Sequence, residues 1–219
     1  MNGLNTLSSR AKSVYLASLL MLVCLAPGCL EDSADETELY QGEISTVTME
    51  IIHGESVANA TGNYTIEIEL YHDAAPNHTD NFRKHAQQGN YDNVTFHRII
   101  DNFMIQGGDF ERHDGTGGYA VQWYGYCNGE AMEQSSDCSS ETLYTLPDEA
   151  NNNLTHIPCM LSMAKTSAPN TGGSQFFIIP EDSTPSWLDG VHTVFGKVIS
   201  GCEHAVSYTH LRAHETFHD

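Results

Sequence analysis

The chain has 219 residues, 40% of them hydrophobic and 17% charged, so it can bury a core and is not disordered throughout. Lys and Arg total 9 against 29 Asp and Glu, for a formal net charge of −20. A surface this acidic repels phosphate backbones, and no basic run offsets it, which excludes nucleic acid as a partner.

Residues 1–28 read as an export signal. Arg10 and Lys12 precede an apolar run over 14–26, and no acid lies ahead of Glu31. The run is too short to cross a bilayer as a helix. It ends in Leu25-Ala26-Pro27-Gly28-Cys29, which resembles a prokaryotic lipobox with Ala26 in the place usually held by Leu. The resemblance implies that Cys29 becomes the lipidated first residue of the mature chain. Residues 29–43 are acidic and poor in core formers, as expected of a tether. The expected organisation is therefore a domain over 44–205, exported and membrane-anchored on the extracytoplasmic side (cell surface or periplasm) through the N-terminal lipid alone.

The domain opens with a strand pattern. Thr65-Ile66-Glu67-Ile68-Glu69-Leu70 alternates strictly, so Ile66, Ile68 and Leu70 face a core and the glutamates face water. Residues 47–52 are its expected partner. Pro76 starts a helix running to about Gln88 and stopped by Gly89, with Phe82 and His85 on its inner face and Ala86 beside them. Further short strands are expected over 94–100, 103–106, 160–164, 175–179 and 193–199, divided by turn-rich segments such as GDFERHDGTGG and KTSAPNTGGS. Many short strands and few helices point to a mainly β, closed or nearly closed antiparallel barrel.

The cysteines sort by position. Cys127 and Cys138 lie in a polar, Gly- and Ser-containing segment of an exported chain, where a disulfide would staple a loop with little core of its own. Two free thiols or a zinc pair are the alternatives. Cys159 and Cys202 sit in apolar surroundings and read as small buried residues. From Val206 the sequence VSYTHLRAHETFHD loses all relation to the preceding pattern and resembles translated adapter sequence. His210 and His214 could share a helix face there, but no metal site is assigned to them.

Residues 91–109, YDNVTFHRIIDNFMIQGGD, place Tyr91, Phe96-His97-Arg98, Phe103-Met104 and Gln106-Gly107-Gly108 at the spacings of the cyclophilin signature. Two further blocks follow in order, LSMAKTSAPNTGGSQFFI (161–178) and WLDGVHTVFGKVI (187–199). On these residues the chain resembles the cyclophilin-type peptidyl-prolyl cis–trans isomerases. The resemblance implies an eight-stranded antiparallel barrel with capping helices, whose last helix and strand are expected to be lacking here. Residues 119–142 stand out as an insertion that either borders the substrate groove or packs on its own side chains.

The chemistry of such a protein is simple to state. Rotating an X–Pro bond means losing partial double-bond character, across a barrier of about 18–20 kcal/mol. The step calls for no nucleophile, metal or cofactor, only a grip on the proline ring and a donor that favours the twisted amide. Arg98 is the basic residue of the signature and stays charged near pH 7. By resemblance, Arg98 and Gln106 are catalytic: the guanidinium bonds the prolyl carbonyl near the imide nitrogen, and Gln106 orients it. Phe103, Met104, Phe177, Leu188 and His192 form the proline pocket. Ala164 and Lys165 pair with the substrate backbone beside Gln175, and Trp187 matches the position associated with cyclosporin binding. His97 reads as a hydrogen-bonded structural histidine, while Gly107-Gly108 and 115–118 read as turns rather than a phosphate cradle. The expected partners are proline-containing segments of unfolded or exported proteins and cyclosporin-type inhibitors, bound by a monomer. The alternative from another class is a non-catalytic proline-peptide-binding or chaperone module using the same groove.

Overall fold

The computed structural model describes residues 40–54 and 59–205. The export signal over 1–28, the lipid candidate Cys29, most of the tether and the tail from Val206 lie outside the described residues. Among the described residues, no helix is long and apolar enough to cross a membrane.

Among the described residues, ten strands and one α-helix follow one another: β1 (Ile44–Gly54), β2 (Ala60–Tyr71), α1 (Pro76–Gln87), β3 (Arg98–Ile100), β4 (Met104–Gly107), β5 (Tyr126–Cys127), β6 (Glu130–Ala131), β7 (Tyr144–Thr145), β8 (Met160–Met163), β9 (Phe176–Ile178) and β10 (Val194–Ser200). Seven of the strands form one antiparallel sheet in the order β1-β2-β10-β8-β9-β4-β3, and the remaining three form a small sheet in the order β6-β5-β7. The mainly β antiparallel architecture is as expected. Among the described residues the larger sheet is curled and seven-stranded.

Strand alternation separates two apolar clusters. Ile66, Ile68, Leu70, Ile105, Leu161, Met163, Phe176, Ile178 and Phe195 point to one face and form the main core. Their sequence neighbours Met104, Met160, Phe177 and Val194 belong to a second cluster. With side chains alternating at a period of two, a residue and its neighbour on one strand must face opposite sides of the sheet. The second cluster is the floor of the groove described below.

Helix α1 covers the main core through Phe82, whose ring meets Phe176 edge-on at 5.2 Å and Phe195 at 5.6 Å. Its start has Pro76 in the first turn but no capping side chain on Ala75. Glu149, far along the chain, supplies the cap. Its carboxylate accepts the Asn77 and His78 backbone N–H groups at 3.2 Å and the His78 ring Nδ1 at 2.7 Å. Burial pushes the Glu149 carboxyl upward, but the His78 contact and these N–H donors outweigh it and hold its pKa below the usual range.

Both disulfide questions are resolved in this fold. Cys127 and Cys138 are bonded, with Cα atoms 5.6 Å apart. The reading of Cys159 and Cys202 as separate buried residues is corrected: they form a second disulfide that closes 43 residues and ties the lead-in to β8 to the end of β10. A loop of that length contributes about 4 kcal/mol in the chain-entropy account. Nothing in the local sequence could reveal this pair, because the two partners meet only once β8 and β10 are aligned.

Candidate active site

Arg98 opens β3 and stands directly opposite Gln106 on β4, which in turn faces Phe177 on β9 and, across the next pair, Ser162 on β8. One transverse row of the sheet thus sets the rim and floor of a groove. Arg98 is exposed and donates from Nη1 to Gln106 Oε1 at 3.2 Å. Its Cζ lies 5.7 Å from the centre of the Phe103 ring, a cation–π distance. Phe103 follows Asn102, whose φ of +55° closes the β3–β4 turn, and its ring leans on Trp187 at 5.6 Å.

The floor is apolar. Met104 and Phe177 are buried, with Phe103, Ala164 and Leu188 packed against their cluster. His192 meets the Phe177 ring edge-on at 5.8 Å, and its Nδ1 lies 3.0 Å from Met163 O. A carbonyl only accepts, so Nδ1 carries the proton and Nε2 offers a lone pair when the ring is neutral. Burial, the largest influence, lowers the His192 pKa and favours that neutral form.

Ala164 donates its N–H to Gln175 O at 3.0 Å, which places both beside the row. The Lys165 side chain is turned inward. Its Nζ donates to Ala168 O at 3.2 Å and sits 3.5 Å from Asp148 Oδ2, leaving the backbone as the part of Lys165 available to a peptide. Trp187 is 68% exposed at the end of the groove, on the single-turn helix Ser186–Leu188.

The sequence reading missed a buried relay beneath Phe177. His156 donates its backbone N–H to Asp189 Oδ1 and sets its ring Nδ1 against the same oxygen, both at 2.7 Å. Its Nε2 lies 3.0 Å from Ser162 Oγ, which is also 3.0 Å from Thr193 O. The His156 ring stacks on Phe177 with planes 12° apart. Asp, His and Ser in line invite comparison with a hydrolase triad, but Ser162 is fully buried and no acyl group can reach it. The relay instead fixes the 186–189 turn and Phe177.

His97 departs from expectation in one respect. It is structural, with its ring against Gly115, yet both ring nitrogens are buried without a hydrogen bond of good geometry. Burial lowers its pKa, with Asp109 acting in the opposite sense. The insertion over 119–142 docks on α1. Tyr124 OH donates to Asp80 Oδ2 at 2.8 Å, Gln122 accepts from Lys84 at 2.8 Å, and Trp123 packs edge-on against Tyr144. Among the described residues, Cys159, Glu181 and Cys202 form a cluster of metal-type donors, but the two sulfurs are consumed by the disulfide.

An antiparallel curled sheet that sets an arginine and a glutamine in one row, with a second glutamine beside it and an apolar floor, defines a class. The chain belongs to the cyclophilin-type peptidyl-prolyl cis-trans isomerase family, whose model matches residues 56–216. The family and the relatives it groups are named for peptidyl-prolyl cis–trans isomerisation. It is similar to "Peptidyl-prolyl cis-trans isomerase 9" of Schizosaccharomyces pombe, 44% identical over 154 residues, covering 70% of this chain and 21% of that protein. It is also 44% identical over 148 residues to "Peptidyl-prolyl cis-trans isomerase-like 1" of Rhizopus delemar, covering 67% of this chain and 75% of the relative. The chain thus spans about a fifth of the first relative's length and three quarters of the second's. Among solved structures it resembles a Cryptosporidium parvum cyclophilin type peptidyl-prolyl cis-trans isomerase, with a TM-score of 0.53 and 30% identity, over 66% of this chain and 77% of that one.

Proposed function

We propose that this chain is an exported, lipid-anchored prolyl isomerase that accelerates X–Pro rotation in proteins folding outside the cytoplasm, with Arg98 as the catalytic donor. The observation that supports this most is the placement of the Arg98 guanidinium, held by Gln106 at 3.2 Å and resting on Phe103 at the edge of the Met104–Phe177 floor. A proline ring seated between Phe103, Met104, Phe177, Leu188 and His192 presents its carbonyl to that guanidinium. A donor fixed there stabilises the twisted amide, with its localised carbonyl and pyramidal nitrogen, more than the planar one. The Ala164 and Lys165 backbone and Gln175 hold the flanking peptide. The tether starting at Cys29 keeps the domain within reach of chains emerging from the membrane, and it works as a monomer. Trp187, exposed at the groove's end, makes cyclosporin-type inhibition the pharmacological expectation.

The test is isomerisation of a short X–Pro peptide by the full chain beside its Arg98→Ala variant at equal folded content. Fast turnover lost in the variant is the expected result. Peptide binding without turnover in the folded protein would reject the enzyme reading and leave a proline-peptide-binding or chaperone module. Retention of the protein in a detergent phase after export, lost in Cys29→Ser, checks the anchor.

A further inference from the structure

Arg98 does not choose its own orientation; a chain of side-chain amides does. Gln106 Oε1 accepts from Arg98, and Gln106 Nε2 donates to Gln175 Oε1 at 2.9 Å. Gln175 Nε2 then donates both its protons to backbone carbonyls, Gly115 O at 3.0 Å and Gly117 O at 2.7 Å. Carbonyls only accept, so the Gln175 amide has one permitted orientation, and this forces the orientation of Gln106. With either amide flipped, Gln106 would offer N–H to the guanidinium, donor against donor.

The polarity of the site is therefore set where Gly115 and Gly117 are held, and that is at Asp109. This residue follows β4, is fully buried, and accepts four backbone N–H groups. Glu111 N and Arg112 N reach Oδ1 at 3.2 and 3.0 Å, while Gly115 N and Gly117 N reach Oδ2 at 2.8 and 3.1 Å. The two glycines that grip Gln175 with their carbonyls are thus gripped by Asp109 through their amides. Gly115 has φ +91°, and a Cβ on Gly117 would lie 2.8 Å from Asp109 Oδ1, so the loop closes tightly around the carboxylate.

We infer that Asp109 is a positioning residue for catalysis, fixing the 110–117 loop so that Gln175 and Gln106 aim the Arg98 guanidinium. The inference rests on the proposed role of Arg98. Asp109 is too deep to touch a peptide. Burial alone would raise its pKa, but the four amide donors bring it to about 2, so the carboxylate acts as a constant acceptor across the working pH range.

The experiment measures kcat and KM for an X–Pro peptide with the full chain and with Asp109→Asn, Gln175→Met and the double variant. Asp109→Asn is expected to lower kcat by at least about tenfold with KM nearly unchanged, since a misaimed donor costs the twisted state more than the bound one. In the Gln175→Met background, where the amide link is already cut, the same change should cost less than about twofold. Losses that multiply in the double variant, or unchanged kcat in a folded Asp109→Asn protein, would overturn the inference. Should Asp109→Asn not fold, Gly117→Ala displaces the same carboxylate and is read in the same cycle. On the unaltered protein, both Gln175 Nε2 protons should resist solvent exchange, and rapid exchange would equally overturn it. If Arg98→Ala itself leaves kcat intact, the role of Arg98 as the catalytic donor fails and not merely this extension of it, whereas absence of turnover in the unaltered protein is what rejects the enzyme reading.

Discussion

The polar rim of the groove and its apolar floor are held in different ways. Arg98, Gln106 and Gln175 are aimed by a chain of directional hydrogen bonds that leads outward to an irregular loop, 110–117, closed on Asp109. Met104 and Phe177 owe their positions to strand alternation and close packing, reinforced from beneath by the His156–Asp189 pair. A rim of this kind can lose function while the fold survives, because each link is worth little to stability yet fixes an angle. A floor of this kind cannot be emptied without a large loss of stability, because the same atoms that line the groove close the sheet's outer cluster.

Substitutions should break that contrast in predictable ways. Phe177→Ala is expected to cost about 3–5 kcal/mol of stability, read by urea unfolding, because it leaves a large void above His156. Arg98→Ala should lower kcat/KM by about 10²–10³-fold, the usual effect of deleting one aimed donor. Its thermal midpoint should stay within roughly 2 °C, as for an exposed side chain. If both variants lost stability alike, rim and floor would not be separable.

Acidification should reach the packed interior. Burial depresses the pKa of His85 to about 4, and lowers those of His97, His156 and His192. Each folded-state value lies below the unfolded one, so the unfolded chain binds more protons between them. The stability these residues contribute is full above about pH 6.5 and falls as the pH drops toward 4. His85 alone accounts for on the order of 3 kcal/mol. Denaturant titrations at pH 7 and pH 4.5 check the sign; equal midpoints would mean that these rings titrate normally. The smallest effect belongs to Trp187→Ala, expected to change stability by less than about 0.5 kcal/mol because the ring is 68% exposed, while weakening cyclosporin-type inhibition.

Much of this was legible beforehand, for local reasons. The alternation over 65–70 appears as buried Ile66, Ile68 and Leu70, and the helix anticipated from Pro76 ends one residue short of Gln88, with Gly89 at φ +73°. The residues expected at the rim and floor lie together as one row and its immediate neighbours. Lys165 was less legible, since only the folded chain shows its amine turned toward Asp148. The 94–100 strand shortened to Arg98–Ile100, because pairing with β4 exists only over those three residues.

By itself, then, the sequence determined what is written in short-range pattern: strand period, helix start, turn glycines, and the family blocks with their arginine and aromatic residues. Tertiary structure alone decided the Glu149 cap on α1, the Cys159–Cys202 disulfide, the His156–Asp189–Ser162 relay and the Asp109 loop clamp. Most of these join groups with no fixed spacing along the chain. The Asp109 clamp is local in sequence, but its purpose depends on Gln175, which arrives from 66 positions away only when β9 pairs with β4. A side chain's partner is set by where the sheet's register brings the backbone, and that register is a property of the whole fold.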